Sequence, residues 1–184
     1  MQVIHVDLGA HAYDIEIEAG LLPQIGAKVA KLLPKAKKAA IISDNNVAPL
    51  YAAQLEASLV AAGLAVVKVV IEAGEQSKNM TVLSSVLEQL AQGGLTRSDV
   101  VLTLGGGVVG DLGGFAAASY MRGVAFVQVP TSLLAQIDSS VGGKVAVDLA
   151  AGKNLAGAFY QPKAVFIDTD LLKTLSTRFL HDGL

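Results

Sequence analysis

Val100-Val101-Leu102-Thr103-Leu104-Gly105-Gly106-Gly107-Val108-Val109-Gly110-Asp111 is the stretch on which the reading of this chain turns. A short apolar run, rich in β-branched residues, ends in consecutive glycines and passes into a segment of small residues that reads as a helix from Val108 to Tyr120. A buried strand, a tight turn and a helix start are the expected elements. Glycines let a backbone approach an anion closely, and a helix start offers free N–H groups and the positive end of its dipole. The spacing of Gly105, Gly107 and Gly110 also fits a dinucleotide-binding fingerprint. By itself it is equally a structural turn. An orthodox fingerprint opens the first βαβ unit and has an acidic residue at the end of the next strand, whereas here the next strand ends in Pro130-Thr131.

The same rhythm extends in both directions. Upstream, Ala39 to Ser43 and Val66 to Ile71 read as buried strands. Helical patterns follow them, carried by Val47, Leu50, Leu55 and Leu59, then by Met80, Leu83, Val86, Leu87 and Leu90. Downstream, Ala125 to Val129 and Ala164 to Ile167 read as strands. Alternating strands and helices with short links predict a mostly parallel sheet with helices on both faces. The start differs. Gln2 to Val6 and Tyr13 to Glu18 alternate around a Gly9-Ala10-His11 turn, predicting an antiparallel β element, and a helix is expected from about Leu21 to Leu33.

Composition narrows the function classes. The 184 residues are 52% hydrophobic but only 5% aromatic, so aliphatic side chains must fill the core. A net charge of −2 argues against nucleic acid as a partner. Cysteine is absent, which excludes disulfides and thiolate chemistry. Neither a signal peptide nor a membrane span is recognisable, and a cytoplasmic protein is expected.

In such sheets ligands sit beyond the carboxyl ends of the strands. Asp44 lies there and suits either a ribose hydroxyl or a helix cap. Gly74-Glu75-Gln76-Ser77-Lys78 lies there too, as binding loop or capping turn. Between Gly123 and Pro162 the charged residues are Asp138, Lys144, Asp148 and Lys153, set among small and apolar neighbours. Charges in such company call for pairing or function, although a solvated loop also fits. Gly142-Gly143-Lys144 is not a phosphate loop, because Asp138 and Val145 stand where Gly and Ser/Thr belong. His5, His11 and His181 do not have metal-ligand spacing.

Taken together, these segments resemble the ordered motifs of the 3-dehydroquinate synthase family. The resemblance rests on Gly74-Glu75-Gln76, Gly105 to Asp111, Arg122-Gly123, Gln128 to Thr131, Gln136 to Lys144, Gly152-Lys153-Asn154 and Gly157 to Pro162. It covers about the whole chain, and the run from Gln136 to Lys144 followed by Gly-Lys-Asn is its most specific part. It implies a Rossmann-like NAD-binding domain over residues 1–184, with a hairpin and helix over about 1–36 and a nucleotide-binding core with a substrate loop over about 37–184. It further implies an NAD- and metal-dependent lyase. That enzyme converts 3-deoxy-D-arabino-heptulosonate 7-phosphate to 3-dehydroquinate and phosphate in the shikimate pathway.

Residue roles follow from the resemblance. Asp44, Glu75, Gln76 and Lys78 resemble residues around the adenosine of NAD. Gly106, Gly107, Val108, Val109, Gly110 and Asp111 resemble the pyrophosphate and nicotinamide neighbourhood, with Thr131 and Ser132 beyond. Leu171, Leu172, Lys173 and Thr174 resemble a further cofactor-contacting turn. Asp138, Lys144 and Asn154 resemble substrate-binding residues, Lys144 and Lys153 standing near the cofactor as well. Arg122 resembles an arginine that reaches the substrate phosphate of a neighbouring subunit, which implies a homodimer.

Two departures are mild: Ser132 stands where a second Thr is frequent, and Ser77 where Tyr is frequent. A third concerns the metal. The family pattern continues beyond Gly183-Leu184 to its first metal ligand, so no residue of this chain is assigned to zinc or cobalt. The C-terminal helical metal-binding domain is expected to be absent, and the isolated chain to be inactive. Two rival readings remain: a related cyclase such as a 2-deoxy-scyllo-inosose synthase, and a non-catalytic NAD-binding module.

Overall fold

The computed structural model describes all of Met1–Leu184. Its elements run β1 (Gln2–Val6), β2 (Tyr13–Glu18), α1 (Ile25–Leu32), β3 (Lys38–Asp44), α2 (Ala48–Ala61), β4 (Ala65–Ile71), α3 (Met80–Gln92), β5 (Val100–Gly105), α4 (Gly107–Ser119) and β6 (Ala125–Pro130). A π-helical turn (Ala135–Ser139), β7 (Lys144–Leu149), β8 (Gly152–Phe159), β9 (Ala164–Asp168) and α5 (Thr177–His181) complete the chain. Seven strands form one sheet in the order β1-β2-β9-β6-β5-β3-β4, and every pair except β1–β2 is parallel.

Alternation along the central strands builds two cores. Ala39 and Ile41 of β3 and Val100, Leu102 and Leu104 of β5 face α1 and α2. Ala40 and Ile42 of β3, Val101 of β5 and Phe126 of β6 face α3 and α4. Both faces are therefore covered, as parallel strands with near-continuous apolar runs require. No helix is long and apolar enough to cross a membrane.

Three sequence expectations need correction. Leu50 does not join the core of α2; it is 56% exposed. It precedes Leu59 by nine residues, and at about 100° per residue the two lie on opposite sides of a helix. Met80 is likewise exposed at the start of α3. The charged segment after Gly143 is not a loop, because β7 and β8 pair as an antiparallel hairpin lying on α4. The expected N-terminal β1–β2 pair is antiparallel and joins the main sheet, where β2 pairs with β9. At the end of β9, buried Asp168 accepts N–H bonds from Gly20 (3.0 Å) and Leu22 (2.8 Å), which ties the first connection to the sheet.

Asp99 does similar work at the other end. Buried before β5, it accepts N–H bonds from Lys37 (3.0 Å), Lys38 (2.9 Å) and Thr96 (2.7 Å). Burial opposes its charge, but these donors and the Thr96 hydroxyl outweigh it and hold the carboxyl below its ordinary 3.8. The lowered folded value means the stabilisation is complete above the ordinary value and is lost as pH falls through the folded one. Asp99→Asn is expected to lower the urea unfolding free energy at pH 7 by about 1–3 kcal/mol. The gap to the parent should narrow as pH falls below the ordinary value and close as the lowered folded value is passed, where the native charge is lost. An equal gap at both ends of this range would show that the charge contributes nothing.

Candidate functional site

The glycine run fixes the centre of the site. Gly106 precedes α4 and no side chain caps the helix. Above this start sits the segment that follows β6. A Cβ at Gly106 would come within 3.4 Å of Ser132 Oγ, and one at Gly107 within 3.3 Å of Ser139 Oγ. Two hydroxyls therefore overhang a bare helix N-terminus, an arrangement suited to an anion. Farther along, a Cβ at Gly114 would lie 2.3 Å from Val145 Cγ1, so only glycine lets the hairpin settle on α4.

On the hairpin side, a cleft of about 410 Å³ is lined by Asp111, Lys144, Asn154, Leu155 and Phe159, among others. Lys144 forms no ion pair, and Phe159 is 85% exposed. The Phe126 and Tyr160 rings stack with centroids 5.7 Å apart, and the Tyr160 hydroxyl donates to Val124 O. Burial raises the pKa of that phenol. These contacts anchor the base of the hairpin to β6.

A charge network joins the hairpin to the loop before α3. Lys78 is only 5% exposed, and its Nζ lies 2.7 Å from Asp111 Oδ2. Burial raises the Asp111 carboxyl, while the hydrogen bond and charge of Lys78 pull it back. Glu75 Oε1 lies 4.0 Å from Lys78 Nζ and 3.9 Å from Lys153 Nζ. The Glu75 carboxyl is also raised, first by its hydrogen bond to Asp148 and then by burial.

A second cleft, of about 260 Å³, opens at the carboxyl ends of β3 and β6. Asn46, Leu50, Tyr51, Thr131, Thr174 and Phe179 line it. Tyr51 Oη lies 2.6 Å from Thr174 Oγ1 and donates to Leu171 O. Asp44 Oδ1 accepts from Asn46 N (2.9 Å) and Val47 N (2.8 Å), so this carboxylate closes the turn into α2 while its other oxygen carries no protein bond.

The structure thus brings Glu75, Lys78, Asp111, Lys144, Lys153 and Asn154 into one neighbourhood, and Thr131 and Thr174 into another. Gly106 to Gly110 lie at the start of α4, and Ser132 stands over Gly106. Gln76 instead turns back, its Nε2 donating to Ala73 O. Leu171 is buried, while Leu172 and Lys173 lie on the adjoining 3₁₀ turn, where Lys173 pairs with Asp170. Two assigned residues stand apart. Asp138 is exposed on the π-helical turn and lines neither cleft. Arg122 is exposed beyond the far end of α4, with left-handed backbone (φ 65°).

Sequence reasoning missed Leu50, Tyr51 and Phe179 as cleft walls, and Asp148 as a member of the charge network. For Leu50 the signal was available, since its phase departs from the buried stripe of α2. No group of three His, Cys, Asp or Glu residues is placed to hold a metal.

Known proteins resemble this chain in sequence and in overall fold. A family model described as 3-dehydroquinate synthase N-terminal matches residues 68–182. A 3-dehydroquinate synthase of Clostridium acetobutylicum is 55% identical over the whole chain, which covers 51% of that protein. The chain therefore spans about half the length of the curated relatives it matches. Among solved structures, a 2-deoxy-scyllo-inosose synthase complexed with carbaglucose-6-phosphate, NAD+ and Co2+ superposes with a TM-score of 0.91 at 26% identity, over 99% of this chain and 49% of that one. A 2-epi-5-epi-valiolone synthase from Streptomyces hygroscopicus, with NAD+ and Zn2+ bound, gives 0.83 at 32% identity over 100% and 49%.

The Lys78–Asp111 pair gives a direct test of this electrostatic arrangement. Lys78→Met leaves a mostly buried carboxylate without its cation. It should lower unfolding free energy by about 1–3 kcal/mol and move the Asp111 titration, followed by carboxyl ¹³C NMR, further upward. Adding Asp111→Leu should recover part of the loss. An unchanged Asp111 titration in the single variant would refute the pairing.

Proposed function

Because this chain belongs to the 3-dehydroquinate synthase family, we propose that it is the NAD-binding half of an enzyme that converts 3-deoxy-D-arabino-heptulosonate 7-phosphate to 3-dehydroquinate and phosphate. The observation that carries this reading is the meeting, at one side of the sheet, of the uncapped start of α4 with the hairpin that carries Lys144, Lys153 and Asn154. Identity of 55% to a named 3-dehydroquinate synthase, against 26–32% to the two solved cyclases, favours this substrate over theirs.

The residues present fit NAD. Backbone N–H groups from Gly107 to Val109, with the hydroxyls of Ser132 and Ser139 above, suit a pyrophosphate. The free oxygen of Asp44 suits the adenosine ribose, while Thr131 and Thr174 line the neighbouring cleft. Bound there, the nicotinamide supplies a transient oxidation of a substrate hydroxyl and its later reversal.

The protein's own groups handle binding and phosphate loss. Lys144 and Lys153 offer ammonium groups to the departing phosphate dianion, whose charge they stabilise as the C–O bond breaks. Asn154, one cleft wall, holds sugar hydroxyls. Asp138 would add a further contact where substrate reaches the π-helical turn. Arg122 lines no part of the cleft beside it, so its assigned role requires a second subunit, and on this reading the enzyme is a cytoplasmic homodimer. Residues 1–184 provide no ligand set for zinc or cobalt, so no step is assigned to a metal here.

Calorimetric titration tests the reading. The 184-residue chain should bind NAD without turning over substrate. Gly107→Val, which crowds Ser139, should weaken NAD binding at least about tenfold, the equivalent of one lost hydrogen bond. In a full-length enzyme containing this sequence, Lys144→Met should lower kcat by about 10²-fold or more. Failure of the parent chain to bind NAD at millimolar concentration would overturn the proposal.

A further inference from the structure

The hairpin is not a regular ladder. Val147 pairs with Ala156 and Leu149 with Gly152, so Asp148 alone stands opposite Lys153, Asn154 and Leu155. The irregularity falls on two of the residues assigned above to cofactor and substrate. Bulges of this kind re-aim side chains, and they persist only where something holds them. At its centre Asn154 has a left-handed backbone, φ 56°, which a non-glycine residue adopts rarely and at some cost.

What holds it is Asp148. Its Oδ1 accepts the backbone N–H of Asn154 at 2.8 Å. Its own N–H, released from the hairpin ladder, donates to Lys78 O at 2.8 Å, and Asp148 forms a parallel bridge with Asn79. Its carboxyl also faces Glu75, whose own carboxyl it raises. One residue thus joins β7, the bulged part of β8 and the loop before α3. The consecutive side chains it controls part company: Lys153 reaches toward Glu75, whereas Asn154 lines the cleft with Lys144 and Asp111.

We propose that Asp148 is a positioning residue of this site, holding the β8 bulge so that Lys153 is directed to the Glu75 side of the site and Asn154 into the cleft with Lys144. Asp148 itself touches neither ligand. The proposal rests on the NAD-binding reading given above.

Asp148 and Glu75 are like-charged neighbours, so a donor that favours the charge of one disfavours that of the other. Asp148 is lowered, first by the Asn154 N–H, whereas Glu75 is raised, first by Asp148. The charged groups facing the pair are Lys78 on the same loop as Glu75, Asp111 on α4 and Lys153 on β8. Replacing Asp148 by Asn keeps an acceptor for the Asn154 N–H and gives Glu75 an amide donor, which favours its ionised form. Replacing it by Ala removes both.

The test compares the parent chain with Asp148→Asn and Asp148→Ala. Three readouts apply: amide hydrogen exchange at Asn154, carboxyl ¹³C titration of Glu75, and NAD affinity by calorimetry. The Ala variant should lose protection at Asn154 and bind NAD about tenfold more weakly, as loss of one charge-assisted hydrogen bond implies. The Asn variant should keep the protection, recover most of the affinity, and shift the Glu75 titration to lower pH. Parent-like NAD affinity in the Ala variant would overturn the positioning role, whatever its amide exchange. An Asn variant as weak as Ala, or an unmoved Glu75 titration, would also overturn it. A parent chain that binds no NAD would fell the functional reading and this inference with it, which separates the two failures.

Discussion

Close approach of α4 to its surroundings is the constraint on which the rest of this fold depends. A helix usually stands off a sheet by the bulk of its side chains. Here Gly113 lies against Thr103 of β5, Gly110 against Gln128 of β6, and Gly114 against Val145 of β7, each with less than 3 Å for any Cβ. Side chains at these places would lift the helix and displace either the sheet or the hairpin. The glycines that look like a ligand motif are thus partly a packing motif. Cβ atoms at Gly106 and Gly107 would stand 3.4 and 3.3 Å from serine hydroxyls, whereas those at Gly110, Gly113 and Gly114 would collide with buried side chains. On the proposed reading, ligand binding and helix packing draw on different members of the same run.

That close approach has an electrostatic consequence. With the hairpin pressed onto α4, Asp111 is mostly buried, and its carboxyl would resist ionisation without Lys78. Lys78 in turn is fixed by the loop whose carbonyl receives the Asp148 N–H. The ion pair, the bulge and the glycine contacts therefore support one another. Strain at Asn154 persists because the surrounding bonds leave it little alternative.

Much of this was legible in the sequence, for definite reasons. Central strands such as Val100 to Leu104 are apolar throughout, and only burial on both faces explains that pattern. The parallel order follows from alternation with helices. The hairpin was not legible. Lys144 to Phe159 is interrupted by Ala150-Ala151-Gly152, carries charges in both arms, and half of β8 faces solvent, so its period of two is broken. The role of Asp148 was hidden as well, since it depends on a pairing irregularity that only the folded register shows. Leu50 misled for a different reason. Hydrophobicity suggested core, whereas its angular position sets it on a cleft wall with Tyr51 and Thr174.

Counting lysines near the site overstates the charge available to a phosphate. Lys78 is buried and committed to Asp111, so its charge is spent on holding the fold. Lys153 is 76% exposed and only loosely opposed by Glu75, at 3.9 Å. Lys144 has no carboxylate within pairing distance, yet it lines the cleft. On the proposed reading, capacity for a dianion comes from Lys144 and Lys153 together with the α4 dipole, rather than from a basic surface. This accounts for a chain of net charge −2 carrying an anion site. The field is local, made by Lys144 in the cleft, the exposed Lys153 beside it and oriented backbone donors.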